Sequence, residues 1–124
     1  MLYTFLFYKE ATQMFEKDLN IGYLLDFYGE LLTERKRSVM EMYFNEDFSL
    51  AEIAEEIKIS RQGVRDIIKK TEEELRFYED KLGLAQKMRQ VEEYSSSLSN
   101  LTEKYDLPDE LKKQILLLSQ VIKQ

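Results

Sequence analysis

The side chains best suited to chemistry in this sequence are cations and an amide on one short stretch. Arg61, Arg65 and Lys69 recur every four residues, which aligns them in a single stripe on a helix, and Gln62 lies beside the first. Arginine pairs bidentately with guanine and glutamine with adenine, so this set is suited to reading base edges. The alternative is ordinary surface charge, partly neutralised by neighbours such as Asp66.

Further cations come directly after this stripe or open a second predicted helix. Lys70 is next to Lys69, while Arg35, Lys36 and Arg37 begin a separate helix from which they can reach phosphates. The net charge of the chain is nevertheless −6, whereas proteins that simply coat nucleic acid are usually basic. Any contact with nucleic acid must therefore be local, or the partner must be a protein.

No constellation of catalytic or metal-binding residues is visible. The chain has no cysteine and no histidine, which removes the thiolate nucleophile and the commonest general base and metal ligand. The carboxylates come in pairs or runs, such as Glu55-Glu56 and Glu72 to Glu74, which are typical of solvated helix faces. No glycine-rich phosphate loop or nucleophile elbow is present. The sequence therefore predicts no enzymatic activity, no cofactor and no metal.

The stripe belongs to a stretch with the pattern of a helix-turn-helix. Ser49 and Ser60 are each placed to cap a helix, and only Lys58 and Ile59 separate the end of the first apolar run from the second cap. That leaves room for a tight turn, which makes the second helix the recognition helix. Such turns often have glycine at the position of Lys58, where φ tends to be positive, and lysine there costs about 1 kcal/mol. The apolar positions of the two helices are Leu50, Ile53, Ala54, Ile57, Val64, Ile67 and Ile68.

The remaining apolar spacing predicts an all-α protein. With one proline and four glycines in 124 residues, long helices are expected. A helix from Asn20 to Leu32 and a second one, capped by Thr33 and ending near Phe44, precede the helix-turn-helix. The recognition helix continues with spacings of 3 and 4 to a stop at Gly83. The aromatic residues of the first helix that we expect in the core are Tyr23, Phe27 and Tyr28.

Two more helical segments form the C-terminal part, residues 84–124. Apolar spacings of 3 and 4 run from Leu84 to Tyr105, with a kink expected at Ser95 to Ser97, and a turn at Pro108 precedes an apolar final helix. Together with the end of the recognition helix, these seams hold more apolar surface than a three- or four-helix body needs. We therefore expect a homodimer with these helices in or beside the interface. The alternative is an intramolecular hairpin of the long helices.

Residues 1–13 differ from the rest of the chain. Met1 to Tyr8 is rich in aromatic residues, and its sequence does not separate apolar from polar residues onto two faces of a helix. Either translation naturally starts at Met14 and residues 1–13 are an extension, or they form a first helical turn on the body. The apolar stretch has no preceding basic residue and no cleavage site, so a signal peptide is not expected. No run of 18 apolar residues is present to span a membrane, and we expect a cytoplasmic protein. We expect its helix-turn-helix domain to cover residues 14–83.

Several runs together resemble the YlxM family of small bacterial helix-turn-helix proteins, found mainly in Gram-positive organisms. They are Leu24 to Thr33, Met42 to Phe44, Ser49 to Glu56, Ser60 to Gln62 and Lys70 to Glu72. The resemblance covers roughly residues 14–83 and fades in the C-terminal third.

The resemblance implies a fold similar to the promoter-reading fourth region of bacterial sigma factors, with a C-terminal long-helix extension. By position it places DNA reading on Arg61, Gln62, Arg65 and Lys69 and brings no catalytic residues. The family's genes typically neighbour the gene for the GTPase subunit of the signal recognition particle, which implies a role in that targeting pathway. Two hypotheses result: a DNA-binding regulator, or an accessory factor that contacts the particle's RNA or its GTPase.

Overall fold

A computed structural model describes residues 17–123, and every regular element in that range is helical. The elements in chain order are α1 Leu19–Tyr28, a 3₁₀ turn Gly29–Leu31, α2 Glu34–Phe44, α3 Leu50–Ile57, α4 Arg61–Leu82, α5 Leu84–Lys104 and α6 Asp109–Lys123. The predicted all-α fold is confirmed. The two interpretations of residues 1–13 lie outside the described residues.

Side-chain caps explain where the helices of the N-terminal half begin. Asp18 Oδ1 accepts from the backbone N–H of Asn20 at 2.9 Å, and Thr33 Oγ1 accepts from Lys36 at 3.4 Å. Before α3, the Ser49 hydroxyl accepts from the Glu52 N–H at 3.0 Å while the Glu52 carboxylate accepts from the Ser49 N–H at 3.0 Å. This reciprocal capping box satisfies two backbone donors at once.

The chain divides into two compact units, one up to Tyr78 and one from Glu79 onward, and α4 runs through the division. In the first unit, α1 to α3 and most of α4 share one core. The helix predicted from Asn20 to Leu32 ends at Tyr28, after which the chain tightens into the 3₁₀ turn. The ring centroids of Tyr28 and Tyr78 are 5.9 Å apart, so an aromatic pair extends this core. Its buried residues include Ile21, Leu24, Leu25, Tyr28, Val39, Met40, Tyr43, Ile53, Val64, Ile68, Thr71 and Leu75.

In the second unit, α5 and α6 pack against each other. Helix α5 begins after Gly83, whose φ of 62° confirms the predicted stop, and the Glu79 carboxylate accepts from the N–H groups of Ala85 and Gln86 at 3.1 and 3.0 Å. Helix α5 continues through Ser95 to Ser97, the segment where a kink is expected, without a break in its helical structure. Ser95 is buried, so its small side chain allows close packing at this point of the helix.

The face that α5 buries contains only one residue of its predicted apolar seam, Met88, which is half-buried. Ala85 and Ser95 are buried and Ser99 and Thr102 are half-buried, at spacings that place them on one side of the helix. A neighbouring side carries large apolar residues that stay 36–77% exposed. We call these the α5 seam: Leu84, Val91, Tyr94, Leu98, Leu101 and Tyr105.

Helix α6 shows the same separation. Ser119 is buried and Ile115 and Ile122 are half-buried, whereas Leu111, Leu116, Leu117, Leu118 and Val121 are exposed. The two helices thus form an intramolecular pair, which was the alternative to a dimer, and still leave much of their apolar surface uncovered. None of the helices in residues 17–123 is long and apolar enough to cross a membrane.

Candidate nucleic-acid interface

The turn between α3 and α4 has the geometry that its spacing predicts. Lys58 is left-handed, with φ 60° and ψ 48°, which confirms the positive φ at a position where glycine is often found. The N–H groups of Lys58 and Ile59 both donate to the carbonyl of Ala54, so the turn closes the end of α3.

The recognition helix α4 starts immediately after the turn. The Ser60 hydroxyl accepts from the Gly63 N–H at 2.9 Å, which confirms Ser60 as a cap. A Cβ on Gly63 would lie 3.2 Å from both Ile59 Cδ1 and Ser60 Oγ, so glycine lets the first turn of α4 close over the apolar turn residue. These contacts define the first turn of α4, which carries Arg61 and Gln62.

The N-terminal ends of α3 and α4 together line an open surface groove of about 350 Å³. Three of its residues are predicted site residues on α4, and the other three are the cap and first turn of α3. We call this surface the reading groove: Ser49, Leu50, Ala51, Arg61, Gln62 and Arg65. The structure thus brings Arg61, Gln62 and Arg65 together beside the N-terminus of α3, where the capping box of Ser49 and Glu52 already satisfies two of the backbone N–H groups.

Arg65 is the deepest of the three, because it is half-buried and interacts electrostatically with the hydroxyl of buried Tyr43. Burial raises the pKa of Tyr43, the nearby Glu72 carboxylate raises it further, and Arg65 acts in the opposite direction. Burial likewise raises the pKa of Glu72, against the influence of Arg76 and Lys69. Arg65 therefore lines the groove with a half-buried side chain whose charge acts on Tyr43.

Gln62 is held by its own helix. Its Nε2 donates to Asp66 Oδ1 at 3.0 Å, across one helical turn. Arg61 is exposed and makes no ion pair with residues 17–123. The groove therefore presents the exposed guanidinium of Arg61, the half-buried guanidinium of Arg65 and the Gln62 amide, whose nitrogen donates to Asp66.

The remaining predicted cations lie away from the reading groove. Lys69 and Lys70 are exposed further along α4. Lys36 Nζ donates to Glu74 Oε1 at 2.8 Å, and this hydrogen bond lowers the pKa of Glu74. Because Glu74 follows Arg65, the last groove residue on α4, by nine residues at about 1.5 Å each, Lys36 contacts α4 about 14 Å beyond the groove.

The other two residues of the second basic run differ in their contacts. Arg37 Nε donates to Glu41 at 3.1 Å on the same helix, whereas Arg35 is exposed and makes no ion pair within the described part of the chain. Of this run, Arg35 is the cation left without an anionic partner.

The sequence interpretation missed the part of α3 that borders the groove. It treated Leu50 and Ala51 as helix residues only, and it did not include the reciprocal cap. The spacing of Ser49 and Glu52 carries that signal, since serine followed three residues later by glutamate is the signature of a capping box. In the structure the Ser49 N–H lowers the pKa of Glu52.

Comparison with known proteins places this arrangement in a family. The profile of UPF0122, described as helix-turn-helix proteins that are YlxM/p13-like, matches residues 15–118. The chain belongs to this family. The match extends beyond the residues 14–83 that the resemblance was expected to cover and includes the C-terminal third, where it was expected to fade, through α5 and most of α6.

Individual members of the family align with this chain over most of their length. A UPF0122 protein of Listeria welshimeri is 46% identical over 100 residues, which are 80% of this chain and 91% of the relative. UPF0122 proteins of Bacillus thuringiensis and Bacillus mycoides are each 45% identical over 103 residues, 83% of this chain and 94% of the relative. The predicted family and helix-turn-helix fold are therefore confirmed.

Proposed function

We propose that this protein is a DNA-binding regulator that inserts the N-terminal part of α4 into the major groove. The observation that carries the proposal is the reading groove, where Arg61, Gln62 and Arg65 meet beside the N-terminus of α3. In helix-turn-helix proteins the first residues of the recognition helix contact base edges. The three side chains supply the donors and the acceptor that such contacts use.

In this arrangement the start of α4 would contact the base edges and the start of α3 would contact the DNA backbone. Ser49 and Ala51, at the start of α3, are exposed. This end of α3 would face a backbone phosphate if α4 occupied the major groove. Backbone N–H groups at a helix N-terminus bind phosphates well, and those of Leu50 and Ala51 lie outside the capping box of Ser49 and Glu52. Lys69, Lys70 and Arg35 would add phosphate contacts, while Lys36 and Arg37 would first have to leave Glu74 and Glu41.

The net charge limits how tightly any DNA is held. With −6 on the chain and few available cations, we expect general binding at physiological salt to be weaker than about 10 μM. Specific binding would then depend on base contacts worth about 1–3 kcal/mol each.

We also propose that the protein acts as a homodimer in the cytoplasm, with a second copy of the chain covering the α5 seam and the exposed face of α6. Apolar patches on monomers rarely exceed about 300–600 Å², and a stable interface buries about 800 Å² per partner. Eleven large apolar residues between Leu84 and Val121 are at least 36% exposed. Residues 84–124 hold six Lys and Arg against six Asp and Glu, so two copies of this segment do not repel each other.

A homodimer would bind DNA more tightly than a single chain. A pair of helix-turn-helix units can engage two half-sites, which adds the weak contacts of each protomer. The 3–4 spacing of the α5 seam is the pattern that helices use to pack against other helices in bundles.

A second candidate function is that of an accessory factor for the signal recognition particle, contacting its RNA or its GTPase. The charge favours contact with the GTPase, because a chain of −6 whose Lys36 and Arg37 are already paired suits a basic protein better than a nucleic acid.

One binding experiment separates the two. The full chain is titrated by fluorescence anisotropy with duplex DNA enriched from a random pool, with the particle's RNA and with its GTPase. The regulator predicts tightest binding to the enriched duplex and loss of that preference in Arg65→Ala. Preference for the GTPase, unchanged in Arg65→Ala, would favour the accessory factor.

A further inference from the structure

Asp66 is an acidic side chain at the reading end of α4, one turn after Gln62. Gln62 Nε2 donates to Asp66 Oδ1 at 3.0 Å, and both residues are exposed. Within residues 17–123 Asp66 makes no ion pair, and its side chain is hydrogen-bonded to Gln62. Building on the proposed DNA-binding function, we propose that Asp66 is a positioning residue that sets the base preference of Gln62.

The chemistry of the pair fixes the orientation of the amide. An ionised carboxylate only accepts hydrogen bonds, so the nitrogen of Gln62 and not its carbonyl oxygen must face Asp66. The amide nitrogen has two N–H groups, and Asp66 uses one of them. The second N–H and the carbonyl Oε1 are left for a ligand.

That remaining pair of groups matches one base. Adenine presents the N7 acceptor and the N6 donor side by side in the major groove, and glutamine meets both with one donor and one acceptor. The oriented amide therefore fits duplex DNA that has an A·T pair opposite Gln62.

Asp66 has two opposite effects on binding. Because the contact lies within one helix, it orders the Gln62 side chain before DNA arrives, and ordering a flexible side chain at an interface otherwise weakens binding. Its negative charge also repels the phosphates of every sequence alike. Asp66 thus lowers general affinity while it raises discrimination between base pairs.

The test measures discrimination separately from affinity. Wild-type protein is used to enrich a duplex from a random pool, and the base pair opposite Gln62 is identified as the one at which Gln62→Ala loses its preference. The ratio of affinities for the enriched duplex and for a duplex changed at that base pair is then measured for Asp66→Ala and Asp66→Asn. Glu73→Gln, an exposed residue of the same helix, controls for the loss of one negative charge.

We expect Asp66→Ala to reduce this ratio about 2- to 10-fold. Asp66→Asn should keep the ratio, because the asparagine carbonyl still accepts from Gln62. Both variants should bind the changed duplex more tightly, as Glu73→Gln should, because each removes one negative charge. In a Gln62→Ala background, Asp66→Ala should change the ratio no further.

Three results overturn the inference. An unchanged ratio in Asp66→Ala removes the positioning role, and a loss in Asp66→Asn equal to that in Asp66→Ala assigns the effect to the charge itself. If wild-type protein enriches no duplex at all, the proposed DNA-binding function fails together with the inference.

Discussion

Helices α4 and α5 carry apolar residues at the same spacings, yet one buries them and the other does not. Val64, Ile68 and Leu75 on α4 are 0% exposed, whereas Tyr94 and Leu98 on α5 are 77% and 37% exposed. In the first unit α1 to α3 surround the seam of α4. In the second unit α5 and α6 pack against each other, yet the α5 seam stays exposed. A period of 3 and 4 residues therefore identifies an apolar face but not the element that covers it.

The largest effect that this comparison predicts is on stability. Leu75→Ala should lower the free energy of unfolding by about 2–5 kcal/mol, because it removes a fully buried side chain from the first unit. Leu98→Ala, measured at a concentration where the protein is monomeric, should cost much less. Urea unfolding followed by circular dichroism compares the two variants. Equal losses would mean that the α5 seam is covered within one chain, and the contrast would disappear.

The next effect is on assembly. Wild-type protein at micromolar concentration should scatter light as a dimer, and the double variant Leu98→Glu, Leu101→Glu should raise the dissociation constant of the dimer at least about 10- to 100-fold, because two charges would enter an apolar interface. Asn100→Glu places one charge on the opposite side of α5 and should leave the mass unchanged. A monomeric mass for wild-type protein at these concentrations would refute the dimer.

A smaller effect concerns the turn in the first unit. Since Lys58 has a φ of 60°, Lys58→Gly should stabilise the protein by roughly 0.5–1 kcal/mol, the strain relieved less the backbone entropy that glycine adds. Glu56→Gly, within α3, should instead destabilise by about 1 kcal/mol. Thermal or urea unfolding measures both. A loss of stability in Lys58→Gly would show that the left-handed turn carries no strain.

The smallest effect is on how the stability of the first unit depends on pH, which we attribute to the ion pair of Lys36 and Glu74. Because the folded pKa of Glu74 is lowered, its contribution is fully present above the ordinary glutamate pKa of 4.5 and is lost as pH falls through the folded pKa. For a partly exposed pair this contribution is at most about 1 kcal/mol. Glu74→Gln should therefore cost stability at pH 7 but not at about pH 2, with Glu73→Gln as control. A constant difference between wild type and Glu74→Gln across that range would contradict the assignment.

The helix caps and the turn were predicted correctly because they depend on residues that are close together in the sequence. Ser49 and Ser60 act on backbone groups three residues away, and the left-handed Lys58 results from a turn only two residues long, so these features are readable from spacing alone. The pairing of Gln62 with Asp66 has a readable spacing of four as well, although the sequence interpretation treated Asp66 only as a neutralising charge.

Contacts between distant parts of the chain were not readable in this way. Lys36 meets Glu74 across 38 residues, and only the packing of α2 on α4 brings them together. Nor did the spacing show that Ser95 would be buried while Leu98 stayed exposed, because a serine-rich segment within a helix reads as a weak point when its partner helix is unknown.

The central claim is that the reading groove recognises DNA, and a salt titration of the wild type, Arg65→Ala and Lys69→Ala tests it most directly. If about three to five phosphates are neutralised per protomer, log K should fall with log salt with a slope of about −3 to −4.5 per protomer. Arg65→Ala should lose sequence preference, while Lys69→Ala should weaken binding to all duplexes alike. If neither variant changes binding to any duplex, the recognition helix does not read DNA and the proposed function is wrong.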